Sequence, residues 1–268
     1  MAPAFKRAER RSKRAGGGFA SRWFTGRTGT GILLLALLCL AGIGAFPLST
    51  GATRLTGAIL AGVLAAGLLA RGWRHRFLRW VLLIVYLAAG IFVFLPGRTG
   101  YDRIALRYET AHAAGRYEGA RYVWGGENYL GIDCSGLVRR GAIDALFISG
   151  VRTVNPLLVR KAAELWWHDL SAQELGHGAG GRAQKLVEIK AIAGMDDSKL
   201  HPGDFAITQS GSHALAYLGD HQWVEADPGE GRVIRINGRS TTNPWFHQPV
   251  SIMRWRFLDL PQLVGRRP

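Results

Sequence analysis

Three uncharged, strongly apolar runs fill most of the first third of the chain, and helical and alternating patterns share the remainder. The first run, "GILLLALLCLAGIGAFPLST", lies within an uncharged stretch from 28 to 53. It is long enough to cross a hydrocarbon core of about 30 Å. The second, "LTGAILAGVLAAGLLA" from 55 to 70, sits between Arg54 and Arg71. It is short for a span, but flanking arginines can snorkel and lengthen it, and its Gly and Ala content suits close helix packing in lipid. The third, "WVLLIVYLAAGIFVFLPG", covers 80 to 97. The expected spans are therefore about 31–49, 55–70 and 80–96.

From about residue 100 the composition becomes that of a globular domain. "YDRIALRYETAHAAG" places apolar and aromatic residues at helical spacing and stops at Gly115. "YVWGGENYLG" reads as a loop, and "CSGLVRRGAIDALFIS" as a helix whose first turn holds Cys134, Ser135 and Gly136. "NPLLVRKAAELWWHDL" is a further helix, with Asn155 in a cap position and Pro156 in the first turn. "GHGAGGRAQ" reads as an exposed loop. Past the turn signal "HPGD" come short β-like runs: "FAITQ", "HALAYLG", "QWVEAD", "RVIRIN" and "VSIMRWRFL". Helices followed by strands predict an α+β domain with an antiparallel sheet. The predicted organisation is a basic tail over 1–27, a membrane region over 28–97 and a folded domain over 98–268.

Charge sharpens this division. The net charge of +15 invites a nucleic-acid reading, yet residues 1–97 hold 13 Lys/Arg and one acid (Glu9), whereas 98–268 hold 21 Lys/Arg and 18 acids. Basicity flanking apolar runs is a topology signal or a contact with anionic lipid, so no nucleic-acid partner is expected. Eight Lys/Arg precede residue 28, one lies at Arg54, and four lie between 71 and 79. The positive-inside rule then puts the N-terminus and second loop in the cytoplasm, and three spans deliver the folded domain to the outer side. If the second run does not span, the parity flips.

The two cysteines are Cys39, in an apolar run, and Cys134. With neither a disulfide framework nor CxxC, no metal and no cofactor are expected. A lone Cys in a folded domain with His elsewhere is a candidate nucleophile, although an arbitrary Cys is more often a small buried hydrophobe. A free thiol has a pKa near 8.5, which a helix N-terminus or a neighbouring imidazolium would lower. Of eight histidines, His213 stands out because it opens an alternating strand, whereas His75, His168, His177, His201 and His221 fall in loops, turns or surface segments. The following strand offers Glu225 and Asp227 to orient it, two apart and so on one face. The physics of the sequence does not choose between them.

In order and spacing, "YVWGGENYLGIDCSGLV", "LHPGDFAI" and "HALAYLGDHQWVEADPGEGRVIRI" resemble the NlpC/P60 family of papain-like cysteine peptidases, over about residues 103 to 257. The resemblance implies Cys134 as nucleophile and His213 as base. The third polar residue falls twelve positions after that His, at Glu225, where the family commonly has His, Asn or Gln. Tyr122 matches a residue that aids substrate or oxyanion binding, and Asp133 and Ser135 match residues of the substrate cleft; both could also simply cap the helix. The separation of Cys134 from His213 is longer than in compact members. The extra residues around "WWHDLSAQELGHGAGGRAQ" could reshape the cleft or form a lid.

The function implied is that of a multi-pass protein of the bacterial inner membrane, with an outward-facing thiol hydrolase cleaving peptide bonds of peptidoglycan between D-glutamyl and a diamino acid. Two alternatives remain. One is a thiol hydrolase or acyltransferase acting on another amide, ester or lipid. The other is a catalytically silent wall-binding scaffold.

Overall fold

A computed structural model describes residues 26–73, 75–239 and 242–259. Most of the basic tail and Arg74 of the second loop lie outside the described residues. The described chain divides into two compact units: Met1–Gly44 with Ala52–Phe92 as one, and Ala45–Gly51 with Val93–Pro268 as the other.

In the first unit, three helices carry the apolar runs: α1 (Arg27–Ala45), α2 (Gly51–Gly72) and α3 (Arg76–Phe94). All three are long and apolar enough to cross a membrane. The second run, short by sequence, becomes a 22-residue helix because Arg54 and Arg71 are themselves helical. Glycine sets the approach of α1 to α2, since a Cβ at Gly67 would stand 2.3 Å from a Leu33 methyl.

The second unit is α+β. Its helices are α4 (Arg103–Gly115), α5 (Cys134–Arg152), α6 (Pro156–Trp167) and the short α7 (Ala172–Gly176). A two-residue hairpin, β1 (Glu127–Asn128) with β2 (Gly131–Ile132), precedes α5. The main sheet contains β3 (Ala183–Ile189), β4 (Phe205–Thr208), β5 (Ala214–Gly219), β6 (Gln222–Asp227), β7 (Arg232–Asn237) and β8 (Val250–Trp255). Its order is β3-β8-β4-β5-β6-β7, and every pairing is antiparallel.

Helix α5 is the centre of this unit. Leu137, Ala142 and Leu146 are fully buried against the sheet residues Phe205, Ala216, Val224 and Ala226. Gly141 lets α4 approach closely, because a Cβ there would lie 2.9 Å from that of Ala114. The opposite face of the sheet is covered as well. Ala206, Leu215, Trp223 and Ile252 pack there against Ile192, Leu200 and Phe246. Two buried faces explain why β4 is buried at every position.

Several sequence expectations change here. The "YVWGGENYLG" loop contains the β1–β2 hairpin. The "GHGAGGRAQ" segment is not wholly exposed: Ala179 is fully buried, and β3 begins at Ala183. Strand β3 escaped the pattern because it is a sheet edge bearing Lys185 and Glu188, a charged edge that discourages pairing with other chains. The insertion after α6 packs rather than standing free. Leu170, Ala172 and Leu175 are buried in the helical core, and a Ser171–Glu174 capping box starts α7.

Two buried ion pairs brace the elements that carry the site. Asp204, from "HPGD", accepts two bonds from Arg254, at 2.6 and 2.7 Å, and one from the His201 amide at 2.8 Å, tying the entry of β4 to β8. Arg139, 1% exposed, projects from α5 to Glu127 of β1 and to Asp169. The hairpin and the start of α5 are thus held from both ends.

Candidate active site

Asp133 shapes the beginning of α5. Extended at φ −100°, it is the N-cap; its Oδ1 accepts from the Gly136 amide at 2.6 Å and from the Ser135 hydroxyl at 2.9 Å. Its Oδ2 accepts from the Gly125 amide at 2.8 Å, and its own amide donates to Gly126 O at 3.1 Å. One carboxylate therefore fixes the Trp124–Gly126 turn to the first turn of the helix. The approach is close enough to require glycine: a Cβ at Gly136 would lie 2.4 Å from Gly126 O.

The Cys134 thiol lies at this helix start, 7% exposed, beside the backbone N–H groups of Ser135, of Cys134 itself and of Ala214. Ala214 is the first residue of β5 and the neighbour of His213, so Cys134 and the imidazole strand meet at one end of the sheet. Burial pushes the thiol up from 9.0 to about 12, and the Asp133 carboxylate adds to the rise, against the lowering by the three amides. The helix start was expected to lower it. A helix terminus contributes at most about 2 kcal/mol, under two pKa units, whereas full burial raises an acid by up to roughly 3–5 units. Burial wins, and the resting side chain is a thiol.

This sets a pH dependence. Above pH 9 an unfolded thiol ionises while the folded one keeps its proton up to about 12. The stability contributed by the buried thiol is complete below pH 9 and is lost as the pH rises from there toward 12. Alkylation of Cys134 by iodoacetamide in the free protein should accordingly keep rising through pH 9. A rate plateau near neutrality would instead reveal a preformed thiolate and contradict the burial argument.

His213 is held on both its backbone and its ring. Its amide donates to Thr208 Oγ1 at 3.0 Å, and its carbonyl accepts from the Thr208 amide at 3.1 Å. The ring, 1% exposed, stacks on Trp245 with centroids 4.1 Å apart and planes 16° from parallel. Nε2 is hydrogen-bonded to Glu225 Oε2 at 2.5 Å, leaving Nδ1 free of that bond. Glu225 Oε1 accepts a second bond, from Asn243 Nδ2. The amide orientation of Asn243 follows from its other contact, where Oδ1 accepts from the Trp245 amide at 2.8 Å.

Extending the Ala216–Val224 register by three residues places His213 opposite Asp227, with Glu225 on the diagonal of the same face. Asp227 is nevertheless otherwise engaged: its Oδ1 accepts from the amides of Gly229 and Glu230 in the β6–β7 turn. Glu225 is the carboxylate on the imidazole. Tyr122 completes the group. Its amide donates to Gly231 O at 2.8 Å, and burial raises its phenol to about 12, with the carboxylates of Asp133 and Asp227, and Cys134 once ionised, acting in the same direction. The phenol keeps its proton and remains a hydrogen-bond donor.

Asn243 and Trp245 were not singled out in the sequence. The available signal was Asn-Pro: Asn243 caps the 3-10 turn Pro244–His247 just as Asn155 caps α6, each followed by Pro. Among the described residues, no group of three or more His, Cys, Asp or Glu is placed to hold a metal.

Comparison with known proteins bears on this arrangement. A family model described as the NlpC/P60 family matches residues 119–251. Similar solved structures include NlpC1 from Trichomonas vaginalis (18% identity, TM-score 0.37, 58% of this chain and 48% of that one). NlpC2 from Trichomonas vaginalis is similar at 19% identity and TM-score 0.37, over 59% and 49% of the two chains. An NlpC/P60 family protein from Bacillus cereus ATCC 10987 is similar at 16% identity and TM-score 0.35, over 57% and 40%. The match spans less than half the length of each of these structures. Among curated proteins none matches the chain. The matched residues 119–251 take in the glycine turn, the Cys134 helix start, His213, Glu225 and Asn243: the chain carries a domain of the NlpC/P60 family.

Proposed function

We propose that this protein is a membrane-anchored cysteine hydrolase that cleaves peptide bonds in peptidoglycan. Members of the NlpC/P60 family are typically cysteine peptidases acting on peptidoglycan, and the observation that carries the reading here is the buried His213–Glu225–Asn243 chain at the strand end where Cys134 lies. In the proposed reaction Glu225 accepts the Nε2 proton of His213 as a hydrogen bond, so Nδ1 presents its lone pair to the thiol. As Sγ attacks the carbonyl carbon, the thiol proton passes to Nδ1, which suits a cysteine held protonated at rest. The tetrahedral oxyanion is stabilised by the Cys134 amide and the Tyr122 hydroxyl. Collapse breaks the C–N bond, the amine leaves with the proton from His213, and a thioester remains. Water deprotonated by His213 then releases the acid and restores the thiol. Asp133 and Ser135 border the cleft while fixing the helix start. The bond proposed is that between D-glutamyl and a diamino acid. Mass spectrometry of peptidoglycan treated with the wild-type full chain should show that cleavage, and Cys134→Ala should show none.

The same reading places the active site on the outer face of a bacterial inner membrane. Two features support it. Basic residues cluster before α1 and between α2 and α3. The segment Ala45–Gly51 also belongs to the compact unit that holds Cys134, so a chain leaving that unit at Gly51 and rejoining it at Val93 must cross the membrane an even number of times. Crossing by both α2 and α3 meets that condition, and crossing by α3 alone does not. A reporter fused after residue 100 should signal from the outer side, and a cytoplasmic signal would sink this topology.

A further inference from the structure

The five-residue link between α1 and α2 makes contacts that a simple connector does not need. The Glu127 amide donates to Pro47 O at 3.0 Å, and Asn128 Nδ2 donates to Phe46 O at 2.8 Å. The Ser49 amide donates to Gly125 O at 3.4 Å, and Leu48 forms an antiparallel bridge with Gly126. Side-chain packing follows the same line: a Cβ on Gly131 would lie 3.0 Å from the Pro47 Cβ, and one on Gly125 would lie 3.3 Å from a Leu48 methyl. The link therefore acts as a third strand for β1 and β2, which have two residues each and could not hold a ribbon unaided.

The far side of the same turn rests on the helix of the candidate nucleophile, through Gly125 N to Asp133 Oδ2, Asp133 N to Gly126 O, and the tight approach of Gly136 to Gly126 O. We infer that the link Phe46–Thr50 is a positioning element of the active site, clamping the Trp124–Gly126 turn against the start of α5 and so fixing where Cys134 points. This rests on the assignment of Cys134 as nucleophile. Residues 46–50 touch the thiol only through the turn, so their role is to hold geometry, not to react. Loosening them would let Gly125 and Gly126 draw away from Asp133, and the cap that orients the first turn of α5 would lose two of its four hydrogen bonds.

The test uses the full chain in lipid nanodiscs, with Pro47→Gly/Leu48→Gly as the main variant and Asn128→Ala as a milder one, which removes the bond to Phe46 O together with the bond that Asn128 Oδ1 accepts from the Leu130 amide. Hydrogen exchange at the Glu127 amide should accelerate in the main variant by about tenfold or more, as a lost backbone bond requires. With peptidoglycan fragments as substrate, kcat should fall by about tenfold while KM changes by less than about twofold, as for a misaligned nucleophile with an intact cleft. Asn128→Ala should move both readouts in the same direction by less, which separates positioning from misfolding of the main variant. Unchanged kcat in both variants, despite faster exchange at Glu127, would overturn the inference. So would unchanged exchange at Glu127 in the main variant. Exchange needs no substrate, so this arm still decides the link's role if a Cys134→Ala control keeps its activity and the nucleophile assignment itself fails.

Discussion

Replacing Glu225 with Gln should lower kcat by roughly 10²- to 10⁴-fold, although the two side chains are nearly the same shape. The reason is donor arithmetic. Two donors converge on this carboxylate, His213 Nε2–H at Oε2 and Asn243 Nδ2–H at Oε1. A carboxylate accepts both, whereas an amide offers one oxygen and one NH2 group. If the amide oxygen faces Asn243, its NH2 faces the imidazole, which must then take its proton on Nδ1 and can no longer accept one from the thiol. If the oxygen faces His213, two NH2 groups oppose each other in a buried site, which costs about 1–3 kcal/mol. The same arithmetic gives a rescue. Glu225→Gln combined with Asn243→Asp turns the neighbouring donor into an acceptor and lets the Gln oxygen return to His213. The double variant should regain about tenfold or more over Glu225→Gln, by the coupling of groups in one network. Steady-state rates of the four combinations measure this directly, and strictly additive losses would contradict the proposed chain. It also accounts for a carboxylate at a position where the family commonly has His, Asn or Gln: here a second buried donor is waiting for it.

The other large effect concerns the nucleophile. Cys134→Ala should reduce hydrolysis of peptidoglycan peptides by roughly 10⁴- to 10⁶-fold, to a residual rate from binding and oxyanion stabilisation alone. Because the thiol is 7% exposed, its removal leaves a small apolar void and not an unpaired charge. The variant should therefore fold and bind substrate while losing the chemical step, and loss of hydrolysis with retained binding is the diagnostic pair. Cys134→Ser keeps the shape and the proton but substitutes a weaker nucleophile, and it should fall between the two. Hydrolysis by Cys134→Ala at the wild-type rate would remove the thiol from the mechanism.

Legibility in the sequence followed the range of the interactions concerned. Strands β6 and β7 coincide with "QWVEAD" and "RVIRIN" because turn residues bound each run and the pairing is local. The caps at Asn155 and Pro156 were readable for the same reason. The β1–β2 hairpin read as a loop since part of its hydrogen bonding comes from residues 46–49, about eighty positions away. The edge strand β3 carried more charge than alternation. Cys134, His213 and Glu225 stood out through motif spacing, whereas Asn243 reaches Glu225, and Trp245 the imidazole, from a 3-10 turn eighteen or more residues after Glu225; the Asn-Pro pair marks a turn there but not what that turn touches. The thiol's ionisation was misjudged for a related reason: helix polarity is visible locally, but the depth of burial is a property of the assembled sheet and helices.

The β5–β6 turn has a longer reach than its surface position suggests. Asp220 and His221 both have positive φ, 48° and 62°, the backbone twist that a two-residue turn needs to join right-handed strands. That turn, together with the bulge between Tyr217 and Gly219, sets how β6 slides along β5. One residue inserted there would displace β6 by a single position and rotate Glu225 to the opposite side of the sheet, away from His213 and Asn243, with every side chain of the candidate site still present. The tip of this hairpin is thus a length gauge for the candidate site, and sequence drift along it is constrained in number of residues far more than in kind.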